Sequence, residues 1–144
     1  MIEVPLDAWR VFAQGSPRLA LGAWRRNAPR YFELDFEVEE STDVAARVTA
    51  AGARRTVVAR PREEIDLRDA LADEAARGNG LYDLAERRCP TIYLIERQGP
   101  DDRAALVLAA SIATVALGPI LGDGELFGVR TAREKLESLG APYR

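Results

Sequence analysis

From Ala104 to Leu121 the chain carries no charge, although 30% of its 144 residues are charged. That run approaches the roughly 20 apolar residues a membrane helix needs. Three structures compete for it: a membrane span, a phosphate-binding glycine loop, or part of a soluble core. Between Arg103 and Leu117 alanine is the commonest residue, and Leu106, Leu108, Ile112, Val115 and Leu117 are among the larger groups. Alanine favours helix but adds little affinity for a bilayer. Gly118-Pro119 then ends the helix short of spanning length. Ile120 to Phe127 reads as a hairpin centred on Asp123-Gly124, a pair suited to a type I′ turn because both central residues take positive φ. Gly122, Gly124 and Gly128 are spaced GxGxxxG, which is neither the dinucleotide fingerprint nor a Walker A loop. The run therefore reads as an alanine-rich buried helix and a hairpin, with Leu108, Ile112 and Val115 as core residues.

The remaining segments fall on either side of this one. Tyr31 to Glu39 alternates Phe32, Leu34, Phe36 and Val38 with Glu33, Asp35, Glu37 and Glu39, the period of a strand with one apolar and one acidic face. Thr91 to Arg97 is apolar on both faces, as a strand in the middle of a sheet is. Arg54 to Arg60 reads as a strand ended by Pro61. Helices are expected over Asp7–Gln14, from a Ser41 or Thr42 cap to Ala51, over Asp66–Gly78 and over Leu81–Arg88. Leu19 to Arg26 fits a strand or a helical turn. Asp101 or Asp102 caps the alanine-rich helix, and Thr131 with Glu134 has capping-box spacing for a last helix. Together these predict a single domain over residues 1–144. Its expected class is α+β: a central mixed or antiparallel sheet with helices packed mainly on one face.

Composition excludes more chemistry than any motif suggests. There is no histidine and one cysteine. A Ser-His-Asp triad, a Cys-His pair and a His-ligated zinc site are therefore impossible. Cys89 cannot form an internal disulfide, which points to a reducing, cytoplasmic setting. Beside Pro90 it reads as a small buried hydrophobe, not a nucleophile. No signal peptide is visible after Met1. A formal net charge of −3 argues against nucleic acid, whose binding rests on neutralised phosphates, and suits a basic partner. No cofactor, metal or membrane is expected.

The candidate site is the acidic row Glu33, Asp35, Glu37 and Glu39, with alternate residues about 7 Å apart on one strand face. Carboxylates in such a row diverge, unlike the ligands of a hard cation. Two readings remain: internal pairing with Arg54 and Arg60 across the sheet, or a strip that binds a partner. The doublets Arg25-Arg26, Arg54-Arg55 and Arg87-Arg88 lack aromatic interleaving and read as solvated faces and helix ends. Trp9 and Trp24 fit either a core or an exposed anchor.

The stretch LVLAASIATVALGPILGDGELF, with the strand before it, resembles an element of small bacterial α+β proteins over roughly residues 91–127. In these an alanine-rich helix leads into a glycine-initiated apolar strand and an Asp-Gly turn. Some of them resemble immunity proteins encoded beside polymorphic or contact-delivered toxins. The resemblance implies a small, acidic, non-catalytic protein that neutralises one cognate toxin by binding it. The alternative is a small-molecule-binding or regulatory α+β domain.

Overall fold

The computed structural model describes residues 8–15, 18–19, 21–27, 36–50, 52–62, 80–99 and 101–139. In chain order these form β1 (Trp9–Ala13), α1 (Leu21–Asn27), β2 (Phe36–Ser41), β3 (Ala45–Ala50), β4 (Ala53–Pro61), α2 (Gly80–Arg88), β5 (Thr91–Ile95), α3 (Arg103–Ala116), β6 (Ile120–Gly122), β7 (Glu125–Phe127) and α4 (Val129–Ser138). The seven strands make one sheet in the order β2-β3-β4-β5-β1-β6-β7. Every pairing is antiparallel. The fold class is α+β.

The larger core lies on the sheet face formed by Trp9, Val11, Ala46, Val48, Val57, Ala59, Tyr93 and Ile95. Helix α3 crosses this face, and α1 and α4 pack beside it. Leu108 and Ile112 are wholly buried, while Val115 is half-buried and packs at the edge of the cluster. Both tryptophans are core residues: Trp9 meets Phe127 edge-to-face at 5.7 Å, and Trp24 meets Tyr93 at 5.1 Å. On the other face α2 covers a smaller cluster of Phe12, Ala85, Cys89, Ile92, Leu121 and Leu126. Three of the four described helices thus share one face.

The uncharged run folds as its composition predicts. Asp102 caps α3, accepting from the Ala105 N–H at 3.1 Å. Leu117 closes the helix in the left-handed region at φ 59°. Gly118 passes so close to β1 that a side chain there would overlap the Phe12 carbonyl. Asp123 and Gly124 take φ of 54° and 72°, as a type I′ hairpin turn requires. No helix among the described residues is long and apolar enough to cross a membrane.

Three local expectations are corrected and one open choice is resolved. The segment expected as a helix over Asp7–Gln14 holds β1 instead. Trp9, Val11 and Ala13 face one core while Phe12 faces the other, and only a strand buries neighbouring residues on opposite faces. The helix expected after Thr42 is β3. The Thr42 hydroxyl does accept from the Val44 and Ala45 N–H groups, as a cap would. Thr42 N–H donates to Ala45 O at 2.7 Å, so the motif closes a hairpin turn and the chain leaves extended. Helix α4 starts at Gly128 with no side-chain cap, so the Thr131–Glu134 spacing lies inside the helix and caps nothing. Leu21–Asn27 is helical, which removes the strand alternative there. The helix expected over Asp66–Gly78 lies outside the described residues.

Candidate functional site

Among the described residues β2 is an edge strand, paired only with β3. Its register runs Glu37 opposite Thr49 and Val38 opposite Val48, then shifts so that Glu40 stands opposite Arg47. Glu39 is the extra residue of this bulge. A bulge breaks the period-two alternation, so the acidic row does not continue evenly past Glu37, and the position two beyond it is taken out of the ladder. Glu37 is exposed, and so is the whole turn from Ser41 to Val44. The edge therefore carries Glu37, Glu39, Glu40 and then Asp43 within seven residues of chain. Glu33 and Asp35 lie outside the described residues. Of the arginines expected to pair with this row, Arg54 stands one strand beyond Thr49 in the cross-strand row of Glu37, and β3 lies between β2 and β4. The cross-strand neighbours of the acidic edge are Thr49 and Arg47.

The buried charges have structural partners. Arg55 forks onto Asp102 through Nε and Nη2, at 2.7 and 3.0 Å. The same carboxylate accepts from the Gln98 and Ala105 N–H groups. Burial alone would raise the Asp102 pKa, but these hydrogen bonds and the Arg55 charge together hold it below the usual carboxylate value. Arg97 forks onto Asp123 at 2.7 and 2.8 Å, donates to Gly99 O and lies 4.0 Å over the Trp9 ring. That contact lowers the Asp123 pKa against a smaller opposing effect of burial. The first pair ties α3 to β4, and the second ties the β6–β7 turn to the end of β5. Asp102 is engaged by four hydrogen bonds, whereas Asp123 accepts one from Arg97 on each oxygen and stays 61% exposed.

Cys89 is buried, and burial pushes its thiol up to about 11 against the smaller opposing pull of Arg62. It is a protonated thiol at neutral pH, as a buried hydrophobe is. Two clefts lie near it. One, of about 310 Å³, is lined mainly by Leu81, Leu84, Leu117, Pro119 and Val129. Among the described residues lining this cleft the one side-chain hydroxyl belongs to Thr114, and it donates to Ser111 O at 2.7 Å. Leu117, on the rim, is 62% exposed. The other cleft, of about 290 Å³, is lined by Arg62, Glu86, Arg87, Arg88, Cys89 and Pro90. Sequence reasoning identified the Arg87-Arg88 doublet as a helix end but did not bring Arg62 to it. No local pattern signals that meeting, because it depends on how β4 and α2 finish side by side. Among the described residues no group of three or more His, Cys, Asp or Glu side chains is placed to hold a metal ion.

No family model matches the chain, and neither a curated protein nor a solved structure is detectably similar to it.

Proposed function

We propose that this is a non-catalytic binding protein that neutralises a basic protein partner, docking it on the acidic edge of the sheet. The observation that carries this reading is the edge itself: β2 and its turn hold four acidic residues at the unpaired rim of the described sheet, with Glu37 and Asp43 exposed. A strand edge rich in acidic residues attracts a cationic partner and steers it in. The outer edge of β2, unpaired among the described strands, also offers main-chain groups to an incoming segment. The partner class proposed is a cognate protein toxin, the reading that the resemblance of residues 91–127 to immunity proteins implies. The fully engaged carboxylate of Asp102 and the protonated thiol of Cys89 support a role without catalysis.

The rival reading, a small-molecule-binding domain, is favoured by the 310 Å³ cleft beside Leu117. Against it, the described side chains of that cleft offer no uncommitted polar group to orient a ligand, whereas ligand pockets combine apolar walls with a few polar groups. The deciding experiment compares wild type with Glu37→Lys/Asp43→Lys as bait in cells of the source organism. A basic protein held by wild type and lost by the variant, at an unchanged or higher melting temperature, is the expected result. The purified pair should then show an association rate that falls steeply with salt. Equal capture by both baits, or a marked drop in the variant's melting temperature, overturns the proposal.

A further inference from the structure

We propose that the cleft between the end of β4 and the end of α2 is an anion site, formed by Arg62, Arg87 and Arg88, that binds a small phosphate monoester. The inference is independent of the acidic edge and lies on a different part of the molecule.

The cleft is held by backbone structure. Arg62 follows the last residue of β4, and its N–H donates to Pro90 O at 2.9 Å. That bond brings the strand exit against the segment leaving α2. Arg87 and Arg88 occupy the last turn of that helix. Cations are favoured at a helix C-terminus, which accounts for this doublet as part of the helix. It does not account for Arg62, which comes from a strand end and adds a third positive charge to the same cleft.

Elsewhere this chain matches its less exposed arginines to carboxylates, as at Arg55–Asp102 and Arg97–Asp123. Among the described residues no ion pair or side-chain hydrogen bond engages Arg62, Arg87 or Arg88. Among the described residues that line the cleft, Glu86 is the sole carboxylate. Those described residues, three guanidinium groups and one carboxylate, sum to +2, and the Cys89 thiol, protonated at neutral pH, adds none. A phosphate monoester carries about −1.5 to −2 at pH 7, which matches that charge. Its oxygens also suit the planar donor fork of arginine. A monocarboxylate would leave one charge uncompensated. A nucleic acid would need a broad basic surface, which a chain of net charge −3 does not favour. The cleft's 290 Å³ is near the lower end of ligand pockets, at about 300 Å³, the size class of a small metabolite.

Isothermal titration of the full chain with O-phosphoserine, at fixed ionic strength, tests the site. Saturable one-to-one binding is expected, with none for serine and weaker binding for malonate. Arg62→Gln and Arg88→Gln should each weaken binding by about ten- to a hundredfold, the effect of losing a charge-assisted contact. Arg25→Gln, on exposed α1 surface, should leave it unchanged. Arg88→Lys should fall between wild type and Arg88→Gln, because it keeps the charge and loses the fork. Unchanged melting temperatures would show that these variants are folded. The assignment is overturned by no saturable binding to the folded protein, by binding that survives Arg62→Gln/Arg88→Gln, by equal affinity for malonate, or by tighter binding of an RNA oligomer than of phosphoserine.

Discussion

Asp102 shows how much one side chain can organise. It caps α3, receives the Arg55 fork and accepts the Gln98 N–H, so one carboxylate joins a helix, a strand and a loop. Removing it leaves Arg55 buried without its partner and α3 without its cap. Asp102→Ala should cost about 3–5 kcal/mol, as breaking other buried pairs does, measured by urea denaturation. The pH dependence follows from the sign of its shift. Its folded pKa is lowered from the ordinary 3.8, so the stabilisation is complete above that value and is lost as pH falls through the depressed folded pKa. Asp102→Asn should be less stable than wild type at pH 7 yet lose less further stability between about pH 5 and pH 2. Parallel wild-type and variant curves over that range would show that the acid limb belongs to other groups. Neither this pair nor Arg97–Asp123 was legible in the sequence. The partners lie 47 and 26 residues apart, and no periodicity connects them. Only the cap was readable, because capping is local chemistry.

Among the elements, legibility followed length and the uniqueness of the pattern. Helix α3, with 14 residues and a clear stop, was readable from alanine content and Gly118-Pro119. Strand β5 was readable because five successive residues were all suited to burial. Strand β1 was not. Five residues with apolar groups at both neighbouring and alternate positions fit a helical turn as well as a strand, and the choice was made by pairing with β5 and β6. Strand β3 was missed for a different reason: Thr42 does bond like a cap, and nothing local distinguishes a capped helix from a turn that enters a hairpin. The acidic row was legible as composition, but the bulge at Glu39, which decides how that row is presented, was not. Within α3 the burial difference gives a prediction. Ile112→Ala should destabilise by about 2–5 kcal/mol, as in other packed cores. Val115→Ala should cost clearly less, because Val115 is only half-buried. Equal costs for the two, measured by thermal or urea unfolding, would mean that the helix is turned differently on the sheet.

At the scale of the whole molecule, the place of β1 in the sheet sets the order of assembly. This strand is synthesised before every other described one, yet Val11 lies opposite Tyr93 and Ile120, about 80 and 110 residues later in the chain. The hairpins β2–β3, β3–β4 and β6–β7 close locally, but the centre of the sheet is a pairing between distant segments. Such topologies fold slowly, because loop closure precedes any reward from the contacts. Refolding should therefore be slower than for a helical protein of equal length, and Val11→Ala should accelerate unfolding more than it slows folding, by stopped-flow fluorescence of Trp9 and Trp24. During synthesis Trp9-Arg10-Val11-Phe12-Ala13 leaves the ribosome as an apolar segment with no neighbour, and the β6 that closes over it is among the last strands made. A nascent chain halted before Ile120 thus exposes one flank of β1. For that interval the segment is a natural client for chaperones that hold short apolar stretches, and a point of vulnerability that the finished sheet conceals.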